Sequence, residues 1–291
     1  MDKKHIEKLT QSTREILEKS SKERIRKCKE QIWIPYPQAN TILDELEEFF
    51  NHPKKDRMPN LLIVGSTNNG KTTILNKFMQ KHPMYLDGYN YIPIVKISAP
   101  ISPSQNALYE KILDELLVPY GIKESTSRKE YQVRKVLEDV EAKMLIIDEF
   151  QDIFHGRVNF QREFLTAVKH LSTDLKIPIV AAGVWEVQSV MTSDPQIANR
   201  FETIKIENWK PNVDFARLLM SFESTLPLKE SSNLHSKKLF TKIFDMSEGM
   251  IGEVARILEK AAVFALKNDK EKIDEEVLNS INFIKPSCRR Q

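Results

Sequence analysis

The sequence has few cysteines, which limits the metal and disulfide chemistry that it can support. Cys28 and Cys288 are the two cysteines among 291 residues, and neither has a second thiol nearby. This spacing excludes a zinc cluster of the C-x-x-C kind, and a disulfide framework is not expected. The six histidines show no H-E-x-x-H or comparable ligand spacing. The sequence therefore predicts no structural metal.

Long apolar runs are also missing. No run approaches the roughly 20 residues that a membrane helix needs, and the first five residues lack the apolar segment of a secretory signal. We therefore expect a cytoplasmic protein without a membrane partner. The net charge of +3 is too small to indicate nucleic acid, because runs of like charge more often form solvated helix faces.

Glycine is scarce, with 8 in the chain, yet two glycines stand in one motif. The segment Gly65-Ser-Thr-Asn-Asn-Gly70-Lys71-Thr72 matches G-x-x-x-x-G-K-[ST], the P-loop pattern. Such a loop closes onto a helix N-terminus, so several backbone N–H groups point at one anion. Few glycines make a chance match rare. The motif therefore predicts a site for ATP and Mg²⁺.

The P-loop pattern assigns roles to individual residues. Lys71 would place its charge against the β- and γ-phosphates, and Thr72 would offer its hydroxyl to Mg²⁺. The predicted nucleotide-binding residues are Gly65, Ser66, Thr67, Asn68, Asn69, Gly70, Lys71, Thr72 and Thr73.

An acidic pair, Asp148–Glu149, follows the apolar run Met144-Leu-Ile-Ile. Such a pair at the tip of a buried strand is typical of a Walker B motif. Asp148 would hold Mg²⁺, and Glu149 would orient and deprotonate the attacking water. Two adjacent carboxylates are equally often surface charge, but the upstream P-loop favours the catalytic role.

Apolar runs alternate with helical periodicity through the middle of the chain, which predicts an α/β P-loop NTPase with a parallel-sheet, three-layer core. The predicted strands cover residues 60–64, 91–97, 144–148, 177–182 and 203–206. Helical patterns alone follow, as in AAA+ ATPases. We predict an N-terminal helical extension over 1–57, a P-loop ATPase domain over 58–210 and a small helical lid over 211–291.

AAA+ sites are completed across subunits, so an arginine that serves a neighbouring subunit is expected. Arg200, in Asn199-Arg200-Phe201 just before the last strand, is the candidate third catalytic residue beside Lys71 and Glu149. The alternative is that Arg200 forms a surface salt bridge.

Six segments and one tryptophan carry a resemblance to a known family. They are residues 35–37, 57–65, 144–149, 177–183, 194–202 and 248–252, together with Trp209. Through them the chain resembles the TniB/TnsC family of AAA+ regulators of DNA transposition, and TniB more closely. The resemblance covers about residues 32–285.

The resemblance implies an ATP-dependent protein that assembles as a ring or helical filament on duplex DNA. It further implies a TniA-like transposase and a TniQ-like target-selection adaptor as partners, with ATP hydrolysis driving disassembly. This chain departs from its relatives at Val184, where they carry a polar residue, and at Gly252, where many AAA+ lids carry an arginine. Arg256 lies one helical turn later. We therefore expect a weak ATPase that DNA or a partner stimulates.

In relatives, loops after the second strand approach the DNA backbone. The matching region here contains Lys123, Arg128 and Lys129, whose charges could neutralise phosphates. The alternative is that Arg128 and Lys129 are exposed first-turn residues of a helix capped by Ser127.

Two other functional classes compete with a transposition regulator. An AAA+ helicase loader or a replication-initiator-like ATPase would share the P-loop, although an initiator normally adds a winged-helix domain that the predicted lid is too short to contain. A small-molecule kinase would need an acceptor site and lid arginines, and nothing in the sequence matches them.

Overall fold

The computed structural model describes residues 3–85, 90–193 and 195–290. By packing, the chain forms two compact units. The sheet unit comprises Pro37–Thr67 and Lys71–Ile206. The helical unit comprises the residues up to Tyr36, the segment Asn68–Gly70 and the residues from Glu207 onward. The predicted domain boundaries at 57 and 210 stay a prediction. The two compact units divide the N-terminal region and the P-loop at other positions.

The sheet unit contains five parallel strands in the spatial order β2-β3-β4-β1-β5. They are β1 (Asn60–Gly65), β2 (Ile94–Ser98), β3 (Met144–Asp148), β4 (Ile179–Gly183) and β5 (Phe201–Ile206). All residues of β1, β3 and β4 are buried. Strands that are buried along their whole length suit a sheet covered on both faces. The predicted α/β architecture is confirmed.

Helices make up most of the remaining structure. In chain order the α-helices are α1 (Lys3–Ile6), α2 (Gln11–Ile16), α3 (Ser21–Cys28), α4 (Pro37–Phe50), α5 (Lys71–Lys81), α6 (Gln105–Glu115), α7 (Thr126–Asp139), α8 (Val158–Leu175), α9 (Glu186–Ser193), α10 (Pro195–Ala198), α11 (Val213–Glu223), α12 (Lys237–Ser247), α13 (Ile251–Lys267) and α14 (Glu275–Ser280). Short 3₁₀-helices cover Phe150–His155 and Pro286–Arg290. Among the described residues, no helix is long and apolar enough to span a membrane.

Helix α7 begins earlier than the sequence pattern predicts. The side chain of Ser125, rather than that of Ser127, accepts a hydrogen bond from the backbone N–H of Arg128 and caps the helix. The predicted cap at Ser127 is therefore wrong. Ser125 and Ser127 offer the same capping chemistry two positions apart, so the sequence alone did not identify which of them caps the first turn.

The N-terminal helices pack into the same unit as the lid helices. The guanidinium of Arg24, on α3, is 3% exposed, donates to the carbonyl oxygen of Pro227 and forms a salt bridge with Glu271. The imidazole of His5 is hydrogen bonded to the carbonyl oxygen of Leu228. Contacts of α3 with α13 therefore extend the core of the lid toward the start of the chain.

Candidate active site

Three adjacent parallel strands bring the motif residues to one edge of the sheet. Strand β4 lies between β3 and β1, so the ends of β1 at Gly65 and of β3 at Asp148 are two strand spacings apart, about 10 Å. The carboxyl ends of parallel strands share an edge. The loop after β1 and the acidic pair after β3 therefore face the same space.

The Lys71 side chain folds back onto the start of its own loop. Its ammonium group donates to the carbonyl oxygens of Gly65 and Ser66, at 2.9 Å each. Burial lowers the pKa of Lys71, and the nearby charges of Glu149 and Asp148 oppose that shift. The structure therefore brings the predicted lysine and both predicted carboxylates together.

The middle of the P-loop has a backbone conformation that needs special residues. Gly70 has φ of +87° and Asn68 has φ of +63°, in the left-handed region that glycine and asparagine tolerate best. Asn69 is buried, and its side-chain amide donates to the carbonyl oxygen of Glu207. The loop conformation is thus fixed by its own sequence and by packing inside the helical unit.

The start of helix α13 contacts the P-loop at Asn68. The backbone N–H of Gly252 donates to the carbonyl oxygen of Asn68 at 2.9 Å, and a Cβ at Gly252 would lie 2.5 Å from that oxygen. No room is left for a side chain here. This contact explains why the predicted position of a lid arginine carries glycine in this chain, while Arg256, one turn later, is exposed.

A buried carboxylate reinforces the same contact. Glu253 is 2% exposed and accepts a hydrogen bond from the side-chain amide of Asn68 at 2.9 Å. The Arg289 guanidinium donates to both oxygens of Glu253, at 2.8 and 2.7 Å, and this hydrogen bonding is the main reason why the pKa of Glu253 is lowered. Arg289 thereby compensates the negative charge that Glu253 holds beside the P-loop.

Asp148 has a cationic partner that sequence reasoning missed. The ammonium group of Lys96, on β2, lies 3.2 Å from the Asp148 carboxylate and also donates to the side chain of Asn76. Asp148 is 3% exposed, so this ion pair offsets the desolvation of its charge. The signal was a lone lysine in an apolar strand, two residues before the strand ends.

Glu149 is oriented by Gln151, a second residue that the motif reading missed. The Gln151 amide donates to the Glu149 carboxylate, while its oxygen accepts a hydrogen bond from the backbone N–H of Val184 at 3.3 Å. Glu149 itself has φ of +50°, a strained value for a residue other than glycine. Gln151 therefore links the predicted catalytic carboxylate to the end of β4, where relatives carry a polar side chain.

Trp185 supplies a third unpredicted contact. Its indole N–H donates to the hydroxyl of Ser66 in the P-loop at 3.2 Å. Trp185 lies two residues after the end of β4, which pairs with β1, so its side chain reaches the phosphate loop. The side chain of Val184, between them, has no hydrogen-bond donor.

The structure does not bring Arg200 to this edge. Arg200 precedes β5, and its backbone carbonyl accepts a hydrogen bond from the N–H of Asn60 at the start of β1. The six residues of β1 separate that end from Gly65 by about 17 Å. The Arg200 guanidinium donates to the Thr173 hydroxyl at 2.8 Å and forms no salt bridge among the described residues. The surface salt bridge considered above is therefore not seen.

The three predicted DNA-contacting residues have different surroundings. Lys123 and Arg128 are exposed. Lys129 is fully buried, forms a salt bridge with Glu110 at 2.6 Å and lies over the Tyr120 ring. Lys129 cannot reach a DNA phosphate from this position. The prediction for Lys129 is therefore corrected: its charge stabilises the contact between α7 and α6.

The sheet edge has the donor set that a nucleotide site needs. The loop offers backbone N–H groups and a buried ammonium, and hard oxygen donors for Mg²⁺ are available from the Thr72 hydroxyl and the Asp148 carboxylate. Thr72 is exposed and Thr73 is partly buried in the first turn of α5. Ser66 and Thr67 form the start of the loop, between Gly65 and Asn68.

Comparison with known protein families gives a match that covers the sheet unit. The family model described as "Bacterial TniB protein" matches residues 24–211, which include the P-loop, Asp148, Glu149 and Arg200. Comparison of the sequence with curated proteins gives no significant match.

The fold is similar to that of several solved AAA+ proteins. Similar structures include the Aeropyrum pernix ORC2 protein in ADPNP–ADP complexes (TM-score 0.65, 14% identity, covering 89% of this chain and 72% of that chain). Cdc6p from Pyrobaculum aerophilum has a TM-score of 0.63 at 17% identity, with 86% and 67% covered. The Aeropyrum pernix ORC1 protein in complex with DNA has a TM-score of 0.57 at 13% identity, with 88% and 68% covered. At such identities the likeness shows the fold.

The close approach of α13 to the P-loop predicts the effect of a single methyl group. Gly252→Ala should displace Asn68 and weaken the binding of a labelled nucleotide by about 1 kcal/mol or more, roughly fivefold in affinity. Gly121→Ala is the matched control, because its new Cβ would meet only the flexible side chain of Glu124. Equal affinities for the two variants and the unchanged protein, measured by fluorescence titration, would contradict this role of the contact.

Proposed function

We propose, because this chain belongs to the TniB family, that it is an ATP-dependent regulator of DNA transposition. In this proposal the protein oligomerises on duplex target DNA and recruits or activates the transposase. Hydrolysis of ATP drives disassembly. The observation that carries the proposal is the family match over a segment whose Lys71, Asp148 and Glu149 share one edge of the sheet.

The side chains at this edge have separate roles in ATP hydrolysis. Lys71 balances charge on the β- and γ-phosphates. The Glu149 carboxylate accepts a proton from water while the water oxygen bonds to the γ-phosphorus. The bond between that phosphorus and the bridging oxygen breaks, its electron pair leaves with ADP, and inorganic phosphate is the second product. Gln151 holds the Glu149 carboxylate in the orientation that this proton transfer requires.

The Thr72 hydroxyl and the Asp148 carboxylate are the residues that would hold Mg²⁺. When bound, the ion supplies positive charge to the phosphate oxygens. Lys96 forms an ion pair with the buried Asp148 carboxylate and holds it in place. This chain's own part is therefore to supply oriented oxygen ligands beside the phosphate loop.

Slow turnover by an isolated subunit follows from what this edge lacks. Among the described residues of the sheet unit, no arginine forms a hydrogen bond or salt bridge with Lys71, Asp148 or Glu149. Arg200 lies at the opposite end of β1, beyond reach of its own nucleotide. An arginine that arrives only from a neighbouring subunit would make hydrolysis depend on assembly, an effect of about 10³–10⁵ in rate in other enzymes.

This dependence couples nucleotide state to assembly on DNA. Subunits with ATP associate along the duplex, and each completes the site of its neighbour. Hydrolysis then removes the γ-phosphate that both subunits contact. The partners in this scheme are duplex DNA, a TniA-like transposase, a TniQ-like adaptor and further copies of this chain, in a ring or a helical filament.

Lys123 and Arg128 are the proposed DNA contacts. Both are exposed near the start of α7, where the buried Lys129 anchors the helix to α6. Their charges would neutralise backbone phosphates without reading base sequence. Phosphate contacts that do not read base sequence would leave the choice of the target site to an adaptor protein.

A helicase loader or a replication-initiator-like ATPase is the alternative. The solved neighbours named ORC2, ORC1 and Cdc6p favour it by fold, but identities of 13–17% carry no more than the fold. The family match covers residues 24–211 of the sequence itself, and for this reason we place the transposition regulator first.

Electron microscopy with duplex DNA tests the proposed function. The protein should form ordered assemblies on DNA of arbitrary sequence with ATP or a non-hydrolysable analogue, and fewer with ADP. Glu149→Gln keeps the loop and the Mg²⁺ ligands, so it should bind ATP, lose at least about 100-fold in turnover and give assemblies that persist. Assemblies that form equally well with ADP, or a Glu149→Gln protein with normal turnover, would contradict the proposal.

A salt titration tests the proposed DNA contacts. Lys123→Ala combined with Arg128→Ala removes two phosphate contacts, so the slope of log affinity against log salt should become shallower by about 2. Lys205→Ala, an exposed lysine on β5, is the control and should leave the slope unchanged. A double variant that retains the full slope would remove these residues from the interface.

A further inference from the structure

Residues 283–290, which we call the tail segment, lie against the turn that leads into α13. Residues 248–253, which we call the lid turn, follow α12 and include the first residues of α13. The backbone N–H of Ser287 donates to the Glu248 carboxylate at 3.2 Å, and the Ser287 hydroxyl donates to the same oxygen. The tail segment is therefore hydrogen bonded to the start of the lid turn.

The end of the lid turn contacts the phosphate loop. Gly252 donates its backbone N–H to the carbonyl oxygen of Asn68, and Glu253 accepts a hydrogen bond from the Asn68 side-chain amide, each at 2.9 Å. The tail segment, the lid turn and the loop residues Asn68–Gly70 belong to the same compact unit. The lid turn therefore contacts both the phosphate loop and the tail segment.

Arg289 connects the tail segment to the buried carboxylate of this turn. Its guanidinium donates to both oxygens of Glu253, at 2.8 and 2.7 Å, and its Nε–H donates to the carbonyl oxygen of Ile284 at 2.9 Å. The guanidinium also lies over the Phe283 ring, 5.1 Å from its centroid. The side chain of Arg289 is 32% exposed and that of Glu253 is 3% exposed. The positive charge is therefore open to solvent, whereas the negative charge that it neutralises is buried.

Glu253 keeps its negative charge in this setting. Hydrogen bonding from Arg289 is the largest cause that lowers the pKa of Glu253. Burial opposes the shift, and the bond from Asn68 and the charge of Arg256 add to it. Arg256 is exposed and forms no salt bridge within residues 195–290 or the other described ranges. Loss of Arg289 would therefore leave a buried carboxylate without an ion-pair partner.

An unpaired charge on Glu253 would oppose the binding of phosphate. Asn68 is part of the loop whose backbone N–H groups would hold the phosphates, and the Glu253 carboxylate lies one hydrogen bond away from Asn68. Like charges repel each other, and the repulsion is stronger where water is excluded. It also grows with the number of charges on the phosphates. The hydrogen bond from Asn68, by contrast, needs an acceptor but no charge.

We propose that Arg289 is a positioning residue for the nucleotide and acts as the counter-charge of Glu253. With Arg289 in place, Glu253 holds Asn68 and adds no net charge beside the phosphates. With Arg289 displaced, the Glu253 carboxylate repels the phosphates, and it repels a triphosphate more than a diphosphate. The inference deepens the proposed function and rests on its nucleotide site at the P-loop.

The alternative is a purely structural salt bridge that stabilises the lid turn. Loss of either partner would then weaken the turn, and nucleotide affinity would fall alike in both cases, whatever the number of phosphates. A counter-charge predicts an asymmetric result. Loss of Arg289 leaves a buried charge unpaired, whereas loss of the charge on Glu253 leaves an exposed guanidinium that water can solvate.

Titration of full-length variants with fluorescently labelled ATP and ADP, each with Mg²⁺, separates these two roles. Arg289→Ala should weaken ATP binding at least about tenfold and ADP binding less, because ATP carries more negative charge. Glu253→Gln keeps an acceptor for Asn68, so it should bind ATP within about threefold of the unchanged protein. The double variant Arg289→Ala, Glu253→Gln should regain affinity to the same range, since no buried charge is left to neutralise.

Two further variants are controls. Lys285→Ala removes a positive charge from the same tail segment, at an exposed side chain that forms no salt bridge among the described residues, so ATP affinity should not change. Arg289→Lys keeps the charge but loses the paired donors, so it should bind ATP more tightly than Arg289→Ala does. Should Arg289→Ala fail to fold, Glu253→Gln still separates the two roles, because only a structural salt bridge predicts that its ATP affinity falls.

Three results would overturn the inference. They are an equal loss of ATP and ADP affinity in Arg289→Ala, a Glu253→Gln protein that binds ATP as weakly as Arg289→Ala, and a double variant that regains no affinity. Each of them leaves the proposed function standing, because the unchanged protein still binds ATP. Failure of the unchanged protein to bind ATP would overturn the proposed function, and this role of Arg289 with it.

Discussion

The phosphate loop depends on a buried ammonium group. Lys71 is held by the carbonyl oxygens of Gly65 and Ser66, in a position where burial disfavours its charge and Asp148 and Glu149 favour it. Two contacts support the carboxylates near this lysine. Lys96 compensates the negative charge of Asp148, and Gln151 orients the carboxylate of Glu149.

Local pattern was sufficient to predict much of the fold and the motif residues. Strands β1, β3 and β4 are buried throughout because both sheet faces are covered, so short and nearly continuous apolar runs mark them in the sequence. Gly70, in the P-loop, has a positive φ, which glycine adopts more readily than other residues. Prediction failed at Ser127 and Lys129: the helix is capped two residues earlier, by Ser125, and Lys129 is buried in a salt bridge with Glu110.

The residues that sequence reasoning missed act across the sheet or across the chain. Trp185 reaches Ser66 only because β4 lies beside β1, and Glu253 reaches Asn68 across 185 positions. No spacing in the sequence encodes such neighbours. The fold therefore adds supporting contacts to a motif that the sequence already shows.

Nucleotide binding by Lys71→Ala tests the central claim most directly. Calorimetric titration of this variant with ATP and Mg²⁺, beside Lys77→Ala on the same helix α5 as control, measures the affinity that the buried ammonium provides. We expect the Lys71 variant to lose most of its nucleotide affinity and all nucleotide-dependent assembly on DNA, and the control to keep both. Unchanged affinity and assembly in Lys71→Ala would contradict the account.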